Sequence, residues 1–587
     1  MASRPPDLVV SAEAALAVPA DGPEMFRNLV LPVSIDAPRW VRAVELDPGS
    51  SRVVHHATLA VDRTSASRRL DAEDEGPGFD GMGSAGGAEH PGGVFIGWTP
   101  GHTPVDGGDA TRTASWRLYP GSDLVVRLHV RPTDEPVAIT PRVALYFSET
   151  PPERPPVAVQ LGAQWMDIPP GERAYVVEDS LRLPVDVDVL SIYPHAHYLA
   201  DTVQAWADTP SGERVWLIEI PDWNFDWQDE YRFLAPVPLP AGSTLRMRYT
   251  FDNSSANPQN PSDPPVRVTY GSRSTDEMAD LVVQTLPRDR SASNALREAA
   301  ERKVAEIKLG GYGLALAGGG DDARLRYNMG IAEASLGRLA EAEEAFRAAL
   351  RLDPRMPEAW VNLGIVLHRQ DRVAEAAAAY ERALGLDPSS ASAHHNLSIA
   401  LDELSRGAEA ERHVRQAIAS DSTFAPAHKR LARLERGRGE LASAIESYRR
   451  GLAGEPDDVE ARMELGSALA QAGDGVGALE SYRVASALAP DAAAPLLAMA
   501  DLLAGYPNPA VRQPAEAVRL ARRGVELTRR ADPVALFSYA NALASAGDLA
   551  AAIAAGEEAA AVASRAGNAA LARAITGRLA RYREGRP

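Results

Sequence analysis

The sequence predicts a multidomain protein in which two β-sandwich domains precede an all-α repeat array. Alternating apolar and polar residues, as in Asp123–Val130 and Thr244–Phe251, are typical of strands, and eight of the nine tryptophans lie between residues 25 and 288. After Pro287 the composition changes to alanine-rich helix, and from Asp321 residue types recur every 34 positions. At 587 residues the chain is also too long for a single core.

Domain boundaries follow these changes of composition. We predict an N-terminal tail over residues 1–24, a first sandwich over 25–150 and a second sandwich over 151–288. A helix with a glycine-rich linker follows over 289–320, and a repeat array with a C-terminal capping helix over 321–587. Within the fourth segment, 291–307 is predicted to be helical. The run 310–320 is predicted to be a hinge, because its glycines lack the spacing of a phosphate-binding loop.

Composition excludes several classes of function. The chain has no cysteine, which excludes disulfides, thiolate zinc sites, iron–sulfur clusters and cysteine nucleophiles. Any metal must therefore be bound by histidine, methionine or oxygen ligands. The formal net charge of −19 argues against nucleic acid or an anionic membrane as the main partner. No run of 18 apolar residues is present, so no membrane span is expected.

The N-terminal 25 residues do not predict a signal peptide. They lack a basic segment and a long apolar segment, and acidic residues interrupt the short patch at Leu8–Val10. The compartment stays open. The protein is cytoplasmic as written, and periplasmic or exported if an upstream segment is removed from a precursor.

Residues 321–587 contain a repeated pair of helices. Small residues recur on the first helix, at Gly330, Gly364, Ser398, Ala432, Gly466 and Ala500. Small residues recur on the second helix at Ala342, Ala376, Ala410, Ala444 and Ala478, and bulky ones follow at Phe346, Tyr380, Val414, Tyr448 and Tyr482. Small residues let two helices approach closely while the bulky residue fills the gap. The helix stops are Pro354, Pro388, Pro456 and Pro490, with Ser422 in the remaining slot. The period and pattern resemble tetratricopeptide repeats.

An asparagine occupies the same first-helix position in three successive repeats, at Asn328, Asn362 and Asn396. In tetratricopeptide proteins the first helices line a concave groove, so the resemblance implies a row of amides that binds an extended peptide. The alternative is that asparagine is simply tolerated on a solvated inner face.

Histidines are concentrated in the β-rich half, where seven of the twelve lie between residues 55 and 197. The candidate ligands are the adjacent pair His55-His56, His129 in a predicted strand, the His195-Ala-His197 pair, and Met278. Imidazole suits copper, iron, nickel and zinc, and a thioether selects Cu(I). We therefore expect one three-histidine site and one softer His-His-Met site. The adjacent pair can share a site only if a bulge turns both rings to one side, because successive strand residues point to opposite faces.

The order of these motifs resembles the copper type II, ascorbate-dependent monooxygenases, the family of peptidylglycine α-hydroxylating and dopamine β-monooxygenases. The matching segments are Val53–Ala57, Leu124–His129, Tyr193–His197 and Thr275–Met278. Phe251–Pro261, running on to Tyr270-Gly271, is similar to the bacterial branch. The resemblance covers about residues 25 to 288.

The resemblance implies two copper ions per chain, on separate jelly-roll-like sandwiches that face a solvent-filled cleft. His55, His56 and His129 would bind the copper that relays an electron from an external, ascorbate-like reductant. His195, His197 and Met278 would bind the copper at which O2 is activated and a substrate C–H bond is hydroxylated. The latter three are thus the predicted catalytic residues.

The sequence departs from the peptide-amidating members of the family. Tyr193 stands where they have an arginine for the substrate carboxylate, and Asp280 and Val282 occupy two further substrate positions. A glycine-extended peptide is therefore a poor candidate substrate. Tyr193, Tyr198, Trp223 and Trp227 are candidates for lining a pocket, with sandwich packing as the alternative.

Two functions follow. The first is a copper monooxygenase acting on a small-molecule or peptide C–H bond, with repeats that bind a protein or peptide. The alternative is a non-catalytic or degenerate copper-binding β module on a repeat scaffold. A zinc hydrolase fits less well, because no His-Glu-x-x-His motif is present.

Overall fold

The structure is a computed structural model, and it describes residues 5–81, 88–89, 96–99, 116–149, 154–225, 227–271 and 273–586. The first part of the chain is mostly strand. Its strands are β1 Leu8–Ser11, β2 Leu16–Val18, β3 Met25–Pro32, β4 Arg39–Asp47, β5 Val54–Asp62, β6 Phe79–Asp80, β7 Ala88–Glu89, β8 Gly97–Trp98, β9 Trp116–Leu118, β10 Asp123–Val130, β11 Val137–Ile139 and β12 Arg142–Ser148. A short helix, α1 (Ala66–Glu73), follows β5.

These strands form what we call the first β domain. One sheet has the order β1-β12-β4-β9, and the other has the order β6-β3-β10-β5-β7 with β8 paired to β5. Leu31, Leu124 and Val126 of the second sheet are fully buried against Val41 and Leu145 of the first. Apolar residues on the inner faces of both sheets therefore build one core.

The prediction that residues 1–24 form a tail is wrong. β1 pairs with β12 and β2 pairs with β11, both antiparallel, and Leu16 and Val18 are buried in the core. The two strands are only four and three residues long. Such short segments do not give an alternation that can be recognised in the sequence.

A second β domain follows. Its strands are β13 Val157–Gly162, β14 Asp167–Ile168, β15 Tyr175–Arg182, β16 Val187–His195, β17 Ala200–Asp208, β18 Arg214–Ile220, β19 Tyr231–Leu239, β20 Thr244–Phe251, β21 Val268–Thr269 and β22 Asp280–Pro287. Two four-stranded sheets, β13-β22-β16-β19 and β15-β20-β17-β18, enclose a core that includes Leu161, Ile192 and Met247. The expectation of mostly β structure in this half is confirmed, while its jelly-roll character stays a prediction.

Helix α2 (Arg290–Ala317) packs on the second β domain, where Leu296 and Ala300 join the core. The predicted hinge at 310–320 is therefore wrong over its first eight residues, which are helical. Gly310 and Gly311 permit a close approach rather than flexibility. A Cβ atom at Gly310 would overlap the Trp165 ring, and one at Gly311 would lie 2.7 Å from Cβ of Gln164.

The rest of the chain is helical. The helices are α3 Ala323–Ser335, α4 Leu339–Leu352, α5 Pro357–Arg369, α6 Val373–Leu386, α7 Ala391–Glu403, α8 Gly407–Ser420, α9 Ala425–Gly437, α10 Leu441–Gly454, α11 Val459–Gln471, α12 Gly475–Leu488, α13 Ala493–Gly505, α14 Pro514–Leu527, α15 Pro533–Ser545, α16 Leu549–Arg565 and α17 Ala569–Arg583. None of the described helices is both long and apolar enough to cross a membrane.

The predicted repeat register is confirmed. A Cβ atom added to Gly364 in α5 would lie 2.7 Å from Cδ1 of Tyr380 in α6, and Gly466 and Tyr482 are related in the same way. α6 ends at Leu386, two residues before the predicted stop at Pro388. Residues 1–341 and 342–587 form two compact units, and the whole candidate site lies in the first.

Candidate functional site

A β-bulge brings the adjacent histidines of β5 together. His129 of β10 pairs with His56, but the next residue, Val130, pairs with Val54, so His55 is an extra residue in the ladder. Both rings consequently turn toward one point, and their Nδ1 atoms lie 3.2 Å apart. This is the local irregularity that the sequence required for a shared site.

His55, His56 and His129 form a potential metal-binding group. One ring nitrogen from each lies within 4.8 Å of the others, and His55 and His129 are buried. The ring centroid of His129 lies 5.1 Å from that of His55 and 4.9 Å from that of His56. Three converging imidazoles are the ligand type that copper and zinc favour.

Glu24 holds the His129 ring in place. Its Oε2 atom lies 3.1 Å from Nε2 of His129, and this hydrogen bond lowers the pKa of Glu24 to about 2. Nδ1 of His129 is buried and has no hydrogen-bond partner among the described residues. A histidine whose one nitrogen contacts a carboxylate while the other is free is arranged as metal-ligating histidines usually are. The other oxygen of Glu24 accepts a 2.9 Å hydrogen bond from the Ser274 hydroxyl of the second β domain.

The second pair of histidines lies at the end of β16. Ala196 between them is buried in the core, and the rings of His195 and His197 are 5.3 Å apart between centroids. Burial lowers the pKa of His195 to about 3 and that of His197 to about 4, so both are neutral near pH 7. Neutral imidazole is the form that binds a metal.

Hydrogen bonds fix which nitrogen of each ring is free. Nδ1 of His195 lies 2.5 Å from Oε1 of Gln228, whose own amide nitrogen donates to the Phe225 carbonyl at 2.9 Å. Gln228 must then accept, so Nδ1 of His195 carries the proton. Nδ1 of His197 donates to the Asp276 carbonyl at 3.0 Å. The lone pair of Nε2 is left available on both rings.

A buried carboxyl group ties this pair to Met278. Glu277 accepts hydrogen bonds from the backbone N–H groups of His197 at 2.8 Å, Leu199 at 2.6 Å and Met278 at 3.0 Å. Burial raises the pKa of Glu277 to about 8, against the opposing effect of these bonds. The loop that carries Met278 is therefore fixed to the strand end that carries the two histidines.

The two histidine sets adjoin each other. The ring centroids of His56 and His195 are 5.7 Å apart, in an edge-to-face arrangement. Phe225 stacks on His55 at 4.4 Å and meets His197 at 5.7 Å. The structure thus brings all five predicted histidines into one cluster. The solvent-filled cleft that the resemblance implies does not separate His56 from His195, because the two β domains meet at this point.

A cavity of about 490 Å³ lies beside the cluster, between outward faces of the two β domains. From β5 and β10 it is lined by His56, Thr58, Arg127 and His129, which alternate with core residues. From the second β domain it is lined by Ala158, Gln160, Tyr193, His195, Met278, Asp280 and Val282, and α2 adds Val304. Met278 therefore faces the same space as both histidine sets.

Only one of the four predicted pocket aromatics lines this cavity. Tyr193 does so, whereas Trp223 is 2% exposed in the domain core and Trp227 is 61% exposed. Tyr198 packs on Phe225 with 4.2 Å between ring centroids. The two remaining histidines of the β-rich half, His90 and His102, were not among the candidate ligands and lie outside the described residues.

Sequence reasoning missed the residues that orient the ligands. Glu24 falls in the predicted tail, and nothing near it in the sequence marks a role. Gln228 and Phe225 lie in a loop that gives no ligand signal. Glu277 is the exception, because it precedes Met278 within a quoted motif and an acidic residue there could have been considered.

The asparagine row lies on the first helices of its repeats, as expected. Asn328 lines a groove of about 670 Å³ between α2 and α3, together with Glu301 and Tyr312. Asn396 donates to the Ser392 hydroxyl at 3.5 Å. Peptide binding by this row stays a prediction.

Comparisons with known proteins identify the helical half. Residues 327–391 and 429–493 match the tetratricopeptide repeat family, so the C-terminal region contains these repeats. Similar solved structures include yeast Tom70, with 19% identity over 50% of this chain and 61% of that chain and a TM-score of 0.34. They also include PilF of Pseudomonas aeruginosa, with 19% identity over 38% of this chain and 97% of that chain and a TM-score of 0.32. MamA of Desulfovibrio magneticus has 21% identity over 29% of this chain and 96% of that chain, with a TM-score of 0.26. No curated protein matches the chain.

Proposed function

We propose that the two β domains form a copper-dependent monooxygenase, which uses O2 and an external one-electron reductant to hydroxylate a substrate C–H bond. The observation that carries the proposal is the single cluster of His55, His56, His129, His195 and His197, of which His56, His129 and His195 line one cavity together with Met278. The tetratricopeptide repeats are proposed to bind a protein or peptide partner.

The donor atoms fit copper. The Nδ1 atom of His129, which has no partner among the described residues, and the Nε2 atoms freed on His195 and His197 are imidazole donors. A thioether beside two imidazoles favours Cu(I), whereas zinc sites with methionine ligands are unusual. The chain has no cysteine that could form a competing thiolate site.

Bound copper would supply one-electron relay at the three-histidine set and O2 activation at the His-His-Met set. The protein's own groups do the rest of the work. Glu24, Gln228 and the Asp276 carbonyl each hold one nitrogen of a ligand ring, which fixes its orientation before any ion arrives. Glu277 holds the backbone of both second-set segments. Such fixed geometry lowers the cost of reorganisation during catalysis.

The cavity is the proposed substrate site. Ala158, Val282 and Val304 give it an apolar wall. Its volume of about 490 Å³ suits a small molecule. A C–H bond presented to the edge formed by His195 and Met278 would lie next to the proposed oxygen-activating set.

The alternative is a copper-holding module without catalytic activity. The direct approach of the His56 and His195 rings favours it, since five imidazoles in one cluster could also store or buffer the metal. The sequence also contains no recognisable electron donor. The two functions differ in what happens when oxygen and reductant are supplied.

The first experiment measures metal stoichiometry. Metal-free protein titrated with Cu(I) is expected to bind two ions per chain, and a His55→Ala, His56→Ala double variant is expected to bind one. The alternative function allows either number but predicts no turnover. Failure of the wild type to bind copper would contradict both functions.

The second experiment measures oxygen uptake with ascorbate. Met278→Leu removes the thioether at nearly constant volume, which usually costs little stability. We expect it to abolish reductant-dependent oxygen consumption while wild-type protein and the control Met329→Leu in α3 remain active. Equal uptake by Met278→Leu and wild type would refute the assigned role of the sulfur. No uptake by any copper-loaded form would favour the non-catalytic module.

A third experiment addresses the repeats. A displayed library of extended peptides, selected on the full chain, is expected to yield binders that an Asn362→Ala, Asn396→Ala double variant loses. Retained binding by this variant would remove the asparagine row from the proposal.

A further inference from the structure

Arg127 stands on the cavity wall beside the proposed metal ligands. It precedes His129 by two residues in β10, so both side chains leave the sheet on the same outward face. Its neighbours across the ladder are Asn28 in β3 and Thr58 in β5. Arg127, Thr58 and His129 all line the cavity.

In the part of the chain that the structure describes, the guanidinium of Arg127 forms no ion pair or hydrogen bond, and its Nε atom is buried and unsatisfied. The contrast with Arg27 on the same cavity is direct. Arg27 is held by Asp74, Asp80 and two backbone carbonyls.

Arg127 is half-buried, and its Nε atom is shielded from water. Taking a cation partly out of water without a counter-charge is unfavourable. Leaving a buried donor unpaired destabilises a fold, and more so when it is charged. A ligand in the cavity would supply the missing partner, and guanidinium matches a carboxylate through two parallel hydrogen bonds.

The rest of the wall indicates the size and polarity of such a ligand. Ala158, Val282, Val304 and the ring of Tyr193 give an apolar surface, and the volume of about 490 Å³ admits a small organic molecule. Asp280, which pairs across the ladder with His195, also lies on the wall and accepts a 3.4 Å hydrogen bond from Gln160. A carboxylate could attract an amine, so the test includes one.

We propose that Arg127 binds the carboxylate of a small, otherwise apolar organic acid and thereby directs its C–H bonds toward His195, His197 and Met278. The proposal names the substrate class of the site and rests on the proposed function. Arg127 is thus a substrate-positioning residue.

The test uses three probes of one shape and different charge, namely 3-phenylpropionate, 3-phenylpropionamide and 3-phenylpropylamine. Their affinities for the full chain are measured by calorimetry, in metal-free and in copper-loaded protein. The variants are Arg127→Gln, Arg127→Lys and a control, Arg52→Gln, which removes an exposed arginine paired with Asp134 and Glu135. Copper stoichiometry is measured on every variant.

We expect 3-phenylpropionate to bind wild type and Arg52→Gln with equal affinity. Its affinity for Arg127→Gln should be lower by about tenfold or more, because a charged hydrogen bond is lost. Arg127→Lys should retain part of the affinity. Affinity for the amide should not change among the variants.

Three results would overturn the proposal. They are carboxylate binding unchanged in Arg127→Gln, a preference of wild type for the amide or the amine, and no measurable carboxylate binding at millimolar concentration. Failure of copper binding alone would instead contradict the proposed function, because the metal-free measurement reports on Arg127 independently.

Discussion

Replacement of Glu24 separates metal binding from folding. Glu24→Gln keeps the shape of the side chain and removes its charge, so the Ser274 hydroxyl can still donate to the amide oxygen. We expect copper affinity at the His55, His56 and His129 set to fall, with the other set unchanged. The reason is that the carboxylate contacts Nε2 of His129 and holds the opposite nitrogen toward the group.

The size of the effect follows from the contact. A hydrogen bond to a charged group contributes about 1.5–3 kcal/mol. The Glu24 side chain is 26% exposed, and partial screening by water favours the lower part of that range. A loss of about 1.5–2 kcal/mol corresponds to roughly 10- to 30-fold weaker binding. Loss of a residue that orients a metal ligand typically costs about 10–100-fold in affinity, in agreement.

The assay is competition for Cu(I) against a chromogenic chelator, which resolves the affinities of the two sets. Ser274→Ala removes the second contact of Glu24 and leaves the hydrogen bond to His129. Because a hydrogen bond from a neutral hydroxyl has a small net contribution, we expect the Cu(I) affinities of this variant to stay within about threefold of wild type. Glu135→Gln, an exposed residue paired with Arg52, is the matched control for loss of charge.

Two outcomes would refute this reasoning. Wild-type affinity in Glu24→Gln would mean that the carboxylate does not prepare His129 for a metal. An equal loss in Ser274→Ala would mean that Glu24 acts by joining the two β domains. Melting curves of all variants exclude a general loss of folding as the cause.

Three further predictions concern stability. In urea unfolding of the repeat region, Gly364→Ala should lower the free energy of unfolding by about 1–3 kcal/mol, because Tyr380 is fully buried and cannot move away. Equal stability of Gly364→Ala and wild type would refute the packing argument. Its control Gly385→Ala has open space and should be neutral or stabilising by up to about 1 kcal/mol. In α2, near-UV circular dichroism should show that Gly310→Ala is destabilising and that its control Gly313→Ala is not. Equal effects of the two substitutions would support the hinge interpretation. Cu(I) at a hundredfold excess over Kd should stabilise the β domains by about 2.7 kcal/mol for each occupied site in calorimetry, reversibly with chelator, and no shift would contradict preformed sites.

The helical repeats were predictable because their constraints are local in sequence. The contact of Gly364 with Tyr380 joins positions 16 residues apart and recurs with Gly466 and Tyr482. The same steric requirement therefore produces the same residue pattern in more than one repeat. The stops at Pro354 and its equivalents depend on the residue itself. The second helices therefore end two residues before the predicted stops, as α4 does at Leu352.

The ligand residues were predictable by type, but their arrangement was not. His55 and His56 can face one point only because of a bulge, which depends on how β5 pairs with β10. Glu24 is 105 residues away from His129 in sequence, and Glu277 is 80 residues away from His197. Such partners leave no local pattern.

Glycines in α2 gave a misleading signal for the same reason. Gly310 and Gly311 suggest a flexible connector when seen alone, since glycine disfavours helix. The neighbours that require them, Gln164 and Trp165, lie far away in the sequence. A glycine run can therefore indicate either freedom or crowding, and only tertiary contacts distinguish the two.

The outward position of the cavity wall has a consequence for redesign. Thr58, Gln160 and Val282 sit on strand faces that turn away from both hydrophobic interiors, so exchanging them reshapes the pocket without repacking either domain. Ligand selectivity is therefore open to change one wall residue at a time, while both hydrophobic interiors keep their packing.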